Sequence, residues 1–417
     1  MMSRLTQIQW VSKVFWILAI VAILIWTMVP GYVVGWDLRV YGDAIKTLSA
    51  GHDPYADGSM IQRIFHADGP HPPGTPEPFT YIYPPLTLPL LRLIGKLPLG
   101  LSAAIYWVLF ALAVLGTIRV GLALVEEGER PVFMLLAPVA VFFPGLLQND
   151  TLFSGNVASV LYGAVLTAAL VGWRRGDWRW FYGLTLLASC FKAPMLSLLA
   201  IPIFSARRQW IPAGATGAAG CLLFAVQPLI WPVLFRHYLE AVELRFSFNH
   251  DVGSSAAGLL ADLLYNRVPY SVTSGVFYLF YGSLVVAALW VLSRLYLNGC
   301  FSLQQWAPVL LLGTLLLNPR IIEYDIAPMT IPMALIAWRF FANGRKVGPT
   351  VVLSVVFFTV INVLAARWNW KALACLEMFG LFVAGCCDLW RFPRSEPSIE
   401  ELREIGLETT ACIQLER

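Results

Sequence analysis

The amino-acid sequence predicts an all-α polytopic membrane protein, and three observations carry that prediction. Hydrophobic residues fill 58% of the 417 positions and charged ones only 13%, a balance outside that of soluble domains. Apolar runs recur at the roughly 17 to 25 residues a helix needs to cross about 30 Å of hydrocarbon. Those runs are continuous rather than alternating, which argues against a β-barrel. The net charge of +4 therefore reports orientation more than partners, and no basic patch suited to nucleic acid is visible. Cys190, Cys221, Cys300, Cys375, Cys386, Cys387 and Cys412 lie in or beside apolar runs or in the tail. They lack metal-ligand spacing and read as packing thiols.

Taken in order, the first span, 14–34, follows Arg4 and Lys13. It is long and lacks a small-x-small cleavage site, so it predicts a retained anchor with the N-terminus in the cytoplasm. The next stretch, 35–85, then lies outside the plasma (inner) membrane. Within it Tyr41, Ala44, Ile45 and Leu48 recur at helical spacing and Gly51 follows as a stop, predicting a surface-lying amphipathic helix over 38–50. Residues 66–78 hold five prolines and two glycines, which excludes a helix. Tyr83-Pro84-Pro85 opens a short apolar helix to about residue 97 that either crosses or only dips.

Spans over 103–124, 131–147 and up to 173 follow, with the polar patch Gln148-Asn149-Asp150 and Ser154-Gly155-Asn156 between the last two. Arg174, Arg175 and Arg179 then precede, and Arg207 and Arg208 follow, a single apolar stretch at 180–205. Both clusters favour the cytoplasm. Either the stretch is a hairpin broken at Lys192-Ala193-Pro194, with Lys192 near its buried tip, or it is one span with an arginine cluster outside. After a span at 211–229, residues 236–270 form a second polar segment with His237 and His250. All five histidines fall in the two polar segments, which parity puts on one side. Spans over 271–297, 306–317, 326–341, 350–365 and 371–390 bring the total to roughly eleven to thirteen. The chain reads as one transmembrane domain, 1–391, with extracytoplasmic loops at 35–85 and 230–270 that carry short amphipathic helices, and a cytoplasmic tail, 392–417.

Few residues combine ionisable chemistry with an unusual place. Asp37 follows Trp36, an interface-type aromatic, so its carboxylate lies at headgroup depth. It is either a general base for an acceptor hydroxyl or the N-cap of the helix starting at Leu38. Lys192 sits deep in an apolar stretch, where a charge is costly unless paired or functional; it is a phosphate ligand or a snorkelling lysine. Asn318-Pro319-Arg320 with Tyr324 and Asp325 ends an apolar span. Arg320 can grip a phosphate through its planar fork or pair with Glu323 or Asp325. His237 and His250 show no metal-triad spacing. Asn156 and its neighbours could contact a sugar or merely begin a helix. Glu377 reads as paired with a neighbouring helix.

The ordered set Asp37-Leu38-Arg39-Val40-Tyr41, Gly51-His52-Asp53-Pro54-Tyr55, Phe79 to Tyr83-Pro84-Pro85, Ser154-Gly155-Asn156, Phe191-Lys192-Ala193-Pro194 and Asn318-Pro319-Arg320 to Tyr324-Asp325 resembles glycosyltransferase family 87. That resemblance implies a GT-C-type fold and an inverting transfer of a monosaccharide, typically mannose. The donor is a polyprenyl-phosphate sugar, the acceptor a lipid or glycan, and the reaction side extracytoplasmic. It implies Asp37 as catalytic base; Lys192 and Arg320, by their charge and place, and Tyr324 are the candidate ligands of the donor phosphate. Tyr41, Asp53, Tyr55, Tyr83, Asn156 and His250 are the candidate substrate contacts. The family's histidine near the active site has no counterpart beside Arg320.

In this scheme the departing lipid phosphate gains negative charge and the two cations stabilise it, so neither a metal nor a cofactor is expected; activity in chelator tests this. Two other classes stay open. A flippase or transporter of lipid-linked sugar predicts repeats and midplane charges, whereas no repeat is visible. A glycan ligase or polymerase predicts a diphosphate-linked oligosaccharide donor.

Overall fold

The computed structural model describes residues 35–55, 81–126, 154–243, 253–264, 270–342 and 370–391, with positions 17, 21, 129 and parts of 349–360. The expected spans at 14–34 and 131–147, most of 350–365, the proline-rich 66–78, the patch 148–150 and the tail lie outside the described residues.

Helix α1 (Trp36–Ser49) buries Val40, Ala44 and Leu48 along one stripe and leaves Asp43 and Lys46 exposed, the amphipathic pattern the sequence predicts. It ends at Ala50 and Gly51, whose φ is +78°. It begins two residues earlier than the spacing indicates, because Gly35 at φ +77° is the N-cap. Asp37 therefore lies in the first turn and is not the cap, which removes that reading of it.

A 3-10 turn (Pro85–Thr87) leads into α2 (Leu88–Ile94). Together they extend about 15 Å, too little to cross, so this segment dips and packs on α1, where Ile45 meets Gly95. Helix α3 (Leu99–Ala123) follows, then α4 (Val157–Arg175). Tyr106 bonds Asn156, and Ala113 and Thr167 pack on Gly163 and Gly116, so α3 and α4 run in the same direction. Small residues permit this close approach, while Leu101, Val108, Leu112 and Leu115 face outward.

Helix α5 (Arg179–Phe191) stops at Lys192, whose backbone is extended, and a 3-10 stretch (Ala193–Leu199) leads into α6 (Ala200–Ser205). Pro194 removes a backbone donor at the break. Trp173 Nε1 donates to Ser205 Oγ (2.8 Å) and Tyr182 Oη to Gln209 Oε1 (3.0 Å). The start and finish of the segment thus meet at one end of the bundle, beside the end of α4. Residues 180–205 form the hairpin, and both arginine clusters share that basal end.

The chain continues through α7 (Trp210–Ala225), α8 (Gln227–Ile230), the amphipathic α9 (Pro232–Glu243), α10 (Ala256–Leu264) and α11 (Tyr270–Leu297). Helix α12 (Leu303–Leu316) opens on a Ser302–Gln305 capping box and is buried from Trp306 to Leu316; a helix apolar all round belongs at the centre. Then come α13 (Glu323–Ile326), α14 (Thr330–Ala342), buried from Thr330 to Trp338, and α15 (Trp370–Arg391). Five helices among the described residues have the length and apolarity to cross a membrane: Gly100–Ala123, Val157–Arg175, Trp210–Ile230, Ser274–Leu297 and Lys371–Arg391. The protein is an all-α, multi-pass membrane protein.

At the basal end Arg339 donates to Glu129 through Nε (3.0 Å) and Nη2 (2.8 Å), and to the carbonyl of Gln304 through Nη1 (2.8 Å). Glu377 differs from expectation: it is buried in α15, and its Oε1 has no hydrogen-bond partner among the described residues.

Candidate active site

At the opposite end of the bundle lies a cavity of about 600 Å³. It draws residues from far apart in the chain: Asp37 from α1, Tyr83 before α2, Asn156 at the head of α4, Lys192 at the hairpin tip, Tyr238 from α9, and Arg320, Tyr324 and Asp325 from the loop after α12. Six of the sequence-predicted residues line it: Asp37, Tyr83, Asn156, Lys192, Arg320 and Tyr324.

Asn156 joins two roles the sequence offers as alternatives. Its Oδ1 caps α4 by accepting from the N–H of Ala158 (2.8 Å). Its Nδ2 donates to Asp37 Oδ2 (2.9 Å) and to Tyr83 Oη (3.3 Å). The cap orients the amide, and the amide then fixes the carboxylate. Gly155 makes the approach possible. At φ +72° it turns the chain, and a Cβ there would lie 2.5 Å from Leu38 Cγ on α1. A larger residue would push Asp37 away from Asn156.

Behind this wall stands a tyrosine layer. Tyr41 and Tyr83 share a hydroxyl bond of 2.7 Å, and the N–H of Val157 donates to Tyr41. Tyr55 donates to the carbonyl of Tyr83 (2.6 Å), and Tyr81 bonds Thr87. Burial pushes the hydroxyls of Tyr41, Tyr55, Tyr81 and Tyr83 well above the ordinary tyrosine range. At Tyr83 the Asp37 carboxylate adds to that rise, and Arg320 opposes it, so the Tyr83 hydroxyl is within electrostatic reach of both.

The cationic side is built differently. Lys192 Nζ donates to Asp325 Oδ1 at 3.1 Å, with side chains 15% and 1% exposed, and lies 5.8 Å from the Tyr324 ring centroid. Asp325 Oδ2 accepts from the N–H of Ile322 (3.1 Å), and the buried Tyr162 side chain lies near Asp325 and Asn318. The carboxylate weighed as a partner of Arg320 thus serves Lys192. Arg320 follows a turn in which Asn318 Oδ1 accepts from its own N–H (3.0 Å).

Tyr41, Asp53 and Tyr55 do not line the cavity; they support it. Asp53 accepts from the N–H of Tyr55 (2.8 Å) and meets His237 Nδ1 through Oδ2 (2.5 Å). That contact ties the first polar segment to α9 and puts the two on one side, as parity predicts. His250 lies outside the described residues. Sequence reasoning missed Phe191, Phe224, Tyr238 and Tyr278, which supply much of the apolar wall. Tyr238 was within reach: Leu234, Tyr238 and Ala241 form the inward stripe of α9.

The arrangement offers one carboxylate held by an amide donor, and two cations that line the same cavity, which is large enough for a sugar. No curated protein and no solved structure matches the chain. The sequence model for glycosyltransferase family 87 matches residues 81–319, more than half of the chain. The matched segment contains Tyr83, Asn156 and Lys192 and stops one residue before Arg320. With its helical membrane architecture, the chain belongs to glycosyltransferase family 87 and is a multi-pass membrane glycosyltransferase.

Proposed function

We infer that the protein transfers a monosaccharide, mannose in the first instance, from a polyprenyl-phosphate carrier to a lipid or glycan acceptor, with inversion. The observation that carries this reading is the pairing of Asp37, held by Asn156, with Arg320 and Lys192 on the walls of one cavity. Asp37 accepts the proton of the acceptor hydroxyl as that oxygen bonds to the anomeric carbon, and the bond to the carrier phosphate breaks on the opposite face. The leaving phosphate gains charge, which Arg320 and Lys192 stabilise. Lys192 is already bonded to Asp325 and contributes its remaining N–H groups beside the Arg320 guanidinium.

Residues 1–391 act as one transmembrane unit, a reading supported by a cavity whose walls run from Asp37 to Asp325. The cavity end is extracytoplasmic and the termini cytoplasmic, in the plasma membrane. The support is the gathering of Arg174, Arg175, Arg179, Arg207 and Arg208 at the other end.

The test is transfer from polyprenyl-phosphate mannose to acceptors in a membrane-lipid extract by the purified protein and its Asp37→Asn variant. The parent transfers, and the folded variant loses about 10²–10⁴-fold in rate. Equal rates would remove Asp37 as the base. Transfer by neither, with the parent active on a diphosphate-linked oligosaccharide, would replace this reading with a ligase.

A further inference from the structure

The basal end carries a second cavity, of about 380 Å³, lined by Arg175, Asp177, Trp178, Arg179, Tyr182 and Gln209 among others. Its walls are two tight turns, α4 to α5 and α6 to α7. The first is fixed by Gly176 at φ +71° and by Trp178, whose indole fills the notch over Gly172. The second is fixed by Arg208, the one non-glycine residue with positive φ (62°) among the described residues. Such a conformation is unfavourable for a residue with a Cβ and persists where the surroundings enforce it. The Tyr182 hydroxyl clasps the two turns by donating to Gln209.

Charge in this cavity is out of balance. Arg179 opens α5 and lacks the favourable helix dipole that Arg175 finds at the end of α4. The near carboxylate, Asp177, lies 3.6 Å from Arg179 Nε and also accepts from the N–H of Arg179; the lining holds one carboxylate and two guanidinium groups, and the Arg179 side chain is 93% exposed and open to a ligand. Arg207 is committed elsewhere, donating to the carbonyl of Leu297 at the end of α11 (3.1 Å). The cavity also sits at a definite depth. Trp180 and Trp210, beside its two turns, are 71% and 67% exposed, the placement of aromatics at a membrane–water interface. An anion reaching Arg175 and Arg179 there comes from the headgroup layer.

We propose that this cavity binds the phosphate of one anionic phospholipid in the leaflet at the basal end, with Arg175 and Arg179 as its ligands. The site is separate from the catalytic cavity and does not depend on the reading given to it. Basic pockets between membrane helices suit such headgroups, and the guanidinium fork matches phosphate oxygens.

The test reconstitutes the full chain in phosphatidylcholine nanodiscs with and without phosphatidylglycerol. Bound lipid is counted by native mass spectrometry, and the thermal midpoint is recorded. The Arg175→Gln/Arg179→Gln variant should hold phosphatidylglycerol about 30-fold more weakly than the parent and lose the rise in midpoint that this lipid gives. Arg174→Gln/Arg391→Gln removes the same charge from the same end but outside the cavity, and should leave binding close to that of the parent. Equal weakening in the two variants would reduce the effect to general surface attraction and overturn the site. A full rise with inorganic phosphate alone would overturn the lipid assignment in favour of a soluble anion.

Discussion

Two buried ion pairs, one at each end of the bundle, use the same chemistry to different purpose. At the basal end Arg339 meets Glu129 with both oxygens engaged and gives a further N–H to a backbone carbonyl, so the guanidinium is surrounded by acceptors. At the cavity end Lys192 meets Asp325 through one bond, while its ammonium faces open volume. The first pair closes a junction between α12, α14 and the segment after α3. The second holds a charge at the rim of a reaction space and keeps it from collapsing onto the wall. A buried cation is thus weak evidence of function by itself; what distinguishes the two is how completely the protein supplies their partners.

The largest effect should come from breaking the saturated pair. Arg339→Met leaves Glu129 partly buried and unpaired, at a cost of about 3–5 kcal/mol. Thermal unfolding in detergent should show a deep fall in midpoint, while transfer per folded molecule stays near that of the parent. A stable variant that has lost transfer would erase the distinction between the ends.

The converse applies at Lys192. Lys192→Met should cost less stability than Arg339→Met, because Asp325 keeps the Ile322 N–H and borders the open cavity. Yet it should lower transfer about 10²–10³-fold. Adding Asp325→Asn removes the unpaired charge and should restore the thermal midpoint without restoring the rate. Recovery of both in the double variant would make Lys192 a structural cation like Arg339.

The helical membrane architecture was legible because hydropathy and charge asymmetry act along the chain. The hairpin at Lys192 was one of two readings of the arginine clusters around a single apolar stretch, and the bonds of Trp173 to Ser205 and Tyr182 to Gln209 decide for it. Pro85–Ile94 was open by sequence because its apolar length was ambiguous, and it was resolved by packing on α1. Pairing was harder to read. Asp325 was weighed as a partner for Arg320, five residues away, but it bonds Lys192, 133 residues away. Spacing reports neighbours on one helix and is silent across a bundle. Asn156 shows the same limit: its capping role is local and legible, whereas its bond to Asp37 requires Gly155 to let α1 approach. His237, of which the sequence says only that it lacks metal-triad spacing, joins Asp53 across the two polar segments.

A smaller effect sharpens the contrast between the ends, because among the described residues the cavity end rests on four buried tyrosines outside the spans. Tyr41, Tyr55, Tyr81 and Tyr83 have hydroxyls held above the ordinary range by burial, so the folded protein keeps them neutral where the unfolded chain would ionise them. Their contribution is fully present below pH about 10 and declines above it, by about 1.4 kcal/mol for each tyrosine at one pH unit beyond. Tyr55→Phe removes one such group together with its bond to the Tyr83 carbonyl, costing about 1 kcal/mol near neutrality. Thermal midpoints of the two proteins, followed from pH 8 upward, should therefore differ at first and converge above pH about 10, because the variant has one fewer proton to lose on unfolding. Midpoints that stay parallel would mean that Tyr55 ionises as freely in the folded protein as in the unfolded chain, and that alkaline instability arises away from the cavity.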